Sequence, residues 1–132
     1  MRMKPALTLD DAIKMAAASK AAGAKIKREP TIAVVNADGN ILYLERPDHN
    51  GVNTAELATL KARTAALRGR PSAAFAARVQ EKAGFLMMPG LLAVEGGIPI
   101  HHGDECIGAI AVSGIDQDDE PVAKAGAEVF GK

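Results

Sequence analysis

The sequence predicts a single α/β (α+β) domain over residues 1–132, a five-stranded, mostly antiparallel sheet with helices packed on it. Three observations predict it. Helical and extended patterns follow one another in the order helix, two strands, two helices, three strands, helix. Asp38-Gly39 lies between two β-branched apolar runs, a strong hairpin signal. The 132 residues, 48% hydrophobic and 24% charged, suit one packed core and leave no room for two domains.

The first helix is expected over residues 8–28. Thr8 caps it, Asp10 and Asp11 sit in the first turn, Lys25, Lys27 and Arg28 crowd the far end, and Pro30 stops it. Leu9, Ile13, Ala16 and Ala17 form a narrow apolar stripe, read as its buried face. Thr31–Val35 and Ile41–Leu44 are the strands of the hairpin. Arg46-Pro-Asp-His-Asn-Gly-Val52 is a loop, after which Asn53 or Thr54 caps a second helix ending at Arg68, before Gly69. Leu57, Leu60, Thr64 and Leu67 mark that helix's inner face. A short helix from Pro71-Ser72 carries Phe75 and Val79 and closes near Gly84. Leu91–Val94, Ile98–His101 and Ile107–Val112 are three apolar runs spaced as a meander, and a last helix covers about 119–130.

Composition excludes several classes. Sixteen basic against sixteen acidic residues give no net charge, where a duplex-binding domain carries a basic excess. Cys106 is the one cysteine, so no internal disulfide and no CxxC motif exists. The N-terminal residues run into acids before any apolar stretch forms, and no stretch approaches the ~20 apolar residues of a membrane span. The expected location is the cytoplasm. The 26 alanines and 13 glycines, against three Phe, one Tyr and no Trp, bury little area each. A chain of this kind gains burial by docking on copies of itself, so a homo-oligomer is expected, with a patch on the second helix or a sheet edge.

The candidate chemistry is sparse. His101 and His102 are strand neighbours that point to opposite faces and flank a Gly103-Asp104 turn, so they do not share a metal without a bend. His49 sits in a loop beside Arg46 and Asp48, and that loop enters a helix N-terminus, an anion-favouring place. Lys61, in mid-helix, reads first as a solvated residue. Cys106 has no basic sequence neighbour to activate it. Gly96-Gly97 lacks the Lys and the helix of a phosphate loop.

Several segments together resemble the GlcG/HbpS family. They are Glu45-Arg-Pro-Asp48, Thr54 with Leu60-Lys-Ala-Arg-Thr-Ala65, Gly69-Arg-Pro71, Met88-Pro-Gly-Leu-Leu92, Gly96-Gly-Ile-Pro-Ile100 and Ile107-Gly-Ala-Ile-Ala-Val-Ser-Gly114. The resemblance spans the chain from Leu7 to the final helix. It implies a compact α/β domain assembled as dimers or larger rings, and a pocket that in some members holds a tetrapyrrole, haem or cobalamin. The positions that match family motifs include Arg46, Asp48, Thr54 and Lys61, and the match makes Lys61 a support of the pocket or its anion contact. Two functions then compete. In the first, Arg46 or Lys61 meets haem propionates and His49 meets the metal. In the second, a small-molecule enzyme or sensor of a catabolic operon holds a carboxylate through the same cations and the amides near Thr54, with His49 or Asp48 as acid or base.

Overall fold

Thr8 and Asp11 start the first helix, α1 (Leu9–Lys25), with a reciprocal cap. The Asp11 amide donates to Thr8 Oγ1 at 3.1 Å and the Thr8 amide donates to Asp11 Oδ2 at 2.9 Å. Those bonds hold the Asp11 carboxyl below its usual value. The helix ends short of residue 28 because the Arg28 and Lys27 amides turn back to the Gly23 and Ala24 carbonyls, with Lys27 at φ 59°. The computed structural model describes residues 1–130.

Beyond α1 come β1 (Thr31–Asn36), β2 (Ile41–Glu45), α2 (Thr54–Arg68), α3 (Ser72–Glu81), β3 (Gly97–His102), β4 (Glu105–Ser113) and α4 (Asp119–Ala127). Two 3-10 turns, Ala83–Met87 and Asp116–Asp118, precede β3 and α4. The β1–β2 hairpin forms as expected. Its connection is closed by Asn36, whose Oδ1 accepts the amides of Asp38 and Asn40, with Gly39 at φ 82°.

Among the described residues the sheet has four strands, not five, in the order β2-β1-β4-β3, and every neighbouring pair is antiparallel. The missing strand is Leu91–Val94. Its backbone is satisfied by side chains rather than by a ladder: the Leu92 amide donates to Thr64 Oγ1 at 2.8 Å, and Ser72 Oγ donates to the Val94 carbonyl at 2.7 Å. The expected meander is therefore the β3–β4 hairpin alone.

The two sheet faces are packed differently. One carries Ile32, Val34, Ile98, Ile110 and Val112 under Met15 and Ala16 of α1 and Val122 and Ala123 of α4. The other carries Ala33, Val35, Ala109 and Ala111 under Ala58, Ala62, Ala65 and Ala66 of α2. The molecule is thus three-layered. The leucines expected to face inward from α2 do not: Leu57 and Leu60 are half-buried and Leu67 is exposed. On α1 the buried residues are Ala12, Met15, Ala16, Ser19 and Gly23, while Leu9, Ile13 and Ala17 face outward.

An alanine face lets α2 lie against the sheet backbone. At Gly97 a Cβ would overlap the Lys61 carbonyl oxygen, and at Gly96, with φ 127°, a Cβ would stand 2.7 Å from the Val112 carbonyl oxygen. Gly97→Ala is therefore expected to destabilise the protein by about 3 kcal/mol, the upper end of the overpacking cost. Gly84→Ala, where a Cβ meets nothing within 4 Å, is expected to leave stability nearly unchanged. Urea melts of the two variants check this.

Candidate functional site

The loop from Arg46 to Asn53 is fixed by a chain of hydrogen bonds that begins at Asn50. Its Nδ2 donates to the Glu29 carbonyl at 2.9 Å and to Thr31 Oγ1 at 3.0 Å. Thr54 Oγ1 gives its only hydrogen to the Gly51 carbonyl at 2.7 Å, so at the 2.9 Å contact it accepts from Thr31 Oγ1. Gly114, at φ 91°, makes room: a Cβ there would meet Asn50 Nδ2 at 2.8 Å. Arg46 closes the loop by donating from Nη1 to the Asn50 carbonyl at 2.8 Å.

The five residues singled out from the sequence consequently fall into two groups. Arg46, Asp48 and His49 are exposed together on the loop, with His49 Nε2 3.7 Å from Glu29 Oε1. Thr54 and Lys61 lie on the buried face of α2. Lys61 is not solvated: its ammonium donates to Asp119 Oδ2 at 3.0 Å and to the Val112 carbonyl at 3.2 Å, and its side chain is 3% exposed. Asp119 Oδ1 accepts the Ile115 amide at 3.0 Å. The anion that Lys61 contacts is therefore a residue of its own chain. This clasp joins α2, on one side of the sheet, to the first turn of α4, on the other. Asp119 is the residue that sequence reasoning missed, because nothing local pairs positions 58 residues apart.

Beside the loop opens a cleft of about 470 Å³, within the ~300–1,000 Å³ range of small-molecule sites. Lys20, Ala24, Lys27, Arg28 and Glu29 of α1 and its exit, with Glu45 and Pro47, are among its walls. Lys20 is paired with Glu45 at 2.9 Å and Arg28 with Asp118 at 3.2 Å, while Lys27 has no ion-pair partner among the described residues. Tyr43 donates its hydroxyl to Glu45 Oε1. That bond pushes the Tyr43 phenol up to about 12, and the same bond, with Lys20, holds the Glu45 carboxyl below its usual value. The depressed Glu45 thus stabilises the fold above its ordinary value of 4.5, and that contribution is lost as pH falls through the folded-state value. The basic crowd at the end of α1 was visible in the sequence, but only as a helix terminus.

The remaining candidates stay apart from the cleft. His101 and His102 are exposed across from Cys106 and Glu105, beside a register shift between Ile100 and His101. Cys106 points Sγ at the Ala66 and Gly108 carbonyls. Among the described residues no group of three or more His, Cys, Asp or Glu side chains is placed to hold a metal ion. No helix there is long and apolar enough to cross a membrane.

The family model described as haem degrading protein HbpS-like matches residues 7–128. The chain belongs to the HbpS-like family. Protein GlcG of Escherichia coli is 34% identical over 114 residues, covering 86% of this chain and 85% of GlcG. A crystal structure of a double mutant of Streptomyces reticuli HbpS superposes with a TM-score of 0.93 at 33% identity, covering 100% of this chain and 92% of the other. The crystal structure of a PduOC–haem complex shares the HbpS-like fold at a TM-score of 0.84 and 19% identity, covering 94% of each chain.

The contribution of the clasp to this chain's stability is measurable. Lys61→Met, which leaves Asp119 buried without a counter-charge, is expected to cost about 3 kcal/mol or more. Lys61→Met combined with Asp119→Asn, which keeps an acceptor for the Ile115 amide, is expected to recover most of that loss in urea denaturation.

Proposed function

We propose that this chain is a tetrapyrrole-binding protein, with haem as the ligand and cobalamin as the related alternative, and that the cleft beside the Arg46–Asn53 loop receives it. What carries the reading is the cleft's lining, on a chain of this family. The stems of Lys20, Lys27 and Arg28, with Ala24, Pro30 and Pro47, offer apolar surface that ends in cationic heads. This suits an amphipathic ring with carboxylates at one edge. Lys27 and Arg46, at the cleft and its adjoining loop, are the residues that would meet propionates, and His49 is the side chain there that would meet the metal. Thr54 and Lys61 act from beneath, holding the loop and the helix in place. The bound group supplies a redox-active iron; the chain's own residues bind it and orient it.

The fit is one-sided. Ala24, Pro30 and Pro47 are the apolar residues among the walls, fewer than would cover both faces of a macrocycle. We take the protein to be a homo-oligomer working in the cytoplasm, where its single cysteine stays reduced. The exposed Leu9, Ile13, Leu67, Leu86 and Met87 support self-association.

A haem titration tests the ligand: saturable binding with a sharpened Soret band is expected, and a linear, non-saturating response refutes specific binding. His49→Ala is expected to shift the band and weaken affinity about tenfold or more, equivalent to 1.4 kcal/mol, while His102→Ala is expected to change neither. A thermal-shift series with small carboxylates reads the competing function, since a ligand at ~100 Kd adds about 2.7 kcal/mol. Light scattering is expected to give a mass of several chains, and a stable single-chain mass across a wide dilution range rules out the oligomer.

A further inference from the structure

Charge pairing within the cleft sets which part of a ligand its walls accept. Lys20, Lys27, Arg28, Glu29 and Glu45 are among those walls. Arg28 is engaged by Asp118 at 3.2 Å, and Glu29 faces His49 at 3.7 Å. Lys20, projecting from α1, is engaged by Glu45 of β2 at 2.9 Å, so this pair ties the helix wall to the strand wall. Lys27 is left as the wall cation with no ion-pair partner among the described residues.

Glu45 is not a loose surface acid. Its backbone is held in the ladder opposite Ile32, a core residue. Tyr43, two residues earlier, points its ring to the same sheet face and packs against that core. The Tyr43 hydroxyl donates to Glu45 Oε1 while the Lys20 ammonium takes Oε2, so each carboxylate oxygen has its own donor. The side chain is 31% exposed, open to the cleft yet anchored from beneath. Its two donors favour the charged form, and at neutral pH Glu45 stands in the wall as an anion.

We propose that Glu45 is the charge-selecting residue of the cleft. It withholds Lys20 from a ligand and excludes a second anion from the walls. A tetrapyrrole then enters with one carboxylate at Lys27 and its other carboxylate outside the walls, toward the Arg46 loop. Affinity is given up for orientation: a free Lys20 would draw either propionate in, whereas the Glu45 anion leaves one place for it. This rests on the tetrapyrrole reading of the cleft and adds the residue that orients the ligand, so the experiment separates the two.

Haem, with two carboxylates, and haem dimethyl ester, with none, are titrated into the wild type, Glu45→Gln and Lys20→Met. Gln keeps an acceptor for Tyr43 and Lys20 and removes the charge. Glu45→Gln is expected to bind haem about tenfold more tightly than the wild type, and Lys20→Met, which leaves Glu45 unbalanced, about tenfold less tightly. Neither is expected to move the ester affinity by more than about twofold. Ionic strength of about 1 M, where screening acts within ~3 Å, is expected to narrow both haem differences. A change of cleft shape moves haem and ester together and does not reverse sign between the two variants. Weaker or unchanged haem binding by Glu45→Gln, or equal changes for haem and ester, overturns the role of Glu45 and leaves the tetrapyrrole reading standing. No saturable haem binding by the wild type overturns both. Should Glu45→Gln not fold, Lys20→Met decides alone: weaker haem with an unmoved ester supports the role, and any other result overturns it.

Discussion

Everything in this fold is set by how near α2 comes to the sheet. Four alanines of the helix face two alanines of β4 and Ala33 and Val35 of β1, and Gly97 of β3 lies under the Lys61 carbonyl. At that spacing dispersion contacts form along the backbone itself, and little large apolar area is needed on this side. The close approach also places Lys61 where its stem reaches past Gly96 to the end of β4. There its ammonium finds Asp119, and the end of the strand becomes the point where both helical layers meet. The loop that carries His49 is anchored within a few residues of the same point, through Thr54, Thr31 and Gly114.

Much of this was legible in the sequence, and the failures share one cause. The hairpin at Asp38-Gly39, the cap at Thr8 and the stop at Gly69 are local chemistry, and local chemistry decides them. Which face of a helix turns inward is different when a quarter of its residues or more are alanine. Alanine packs on either side, so large apolar residues are a poor guide: Leu9 and Ile13 of α1 and Leu67 of α2 are exposed, while Met15 of α1 and the alanines of α2 are buried. Close packing selected the small face. Leu91–Val94 misled for a related reason: an apolar run looks like a strand, but the hydroxyls of Thr64 and Ser72, from two different helices, claimed its backbone first.

The candidate site was half legible. Loop chemistry marked Arg46, Asp48 and His49; all three are exposed on the loop, whose Pro47 is a wall of the cleft. Lys61 looked solvated because a lysine at mid-helix has no local signature of burial, and its partner lies beyond two intervening strands. The cleft's other wall, the end of α1, showed only as a basic helix terminus. A cleft made of helix end, strand end and loop has no contiguous motif, so only the three-dimensional arrangement gathers it.

The way residues 83–95 are attached sets their dynamics apart from the rest. Two hydroxyl contacts, from Thr64 and Ser72, stand in for the ladder that secures every neighbouring strand. Opening this stretch exposes scarcely any core, because Leu86, Met87 and Val94 are already outside. Its opening free energy therefore sits far below that of the sheet, and it behaves as a separate unit of local unfolding. Amide exchange across residues 83–95 is therefore expected to run faster than across the four-stranded sheet.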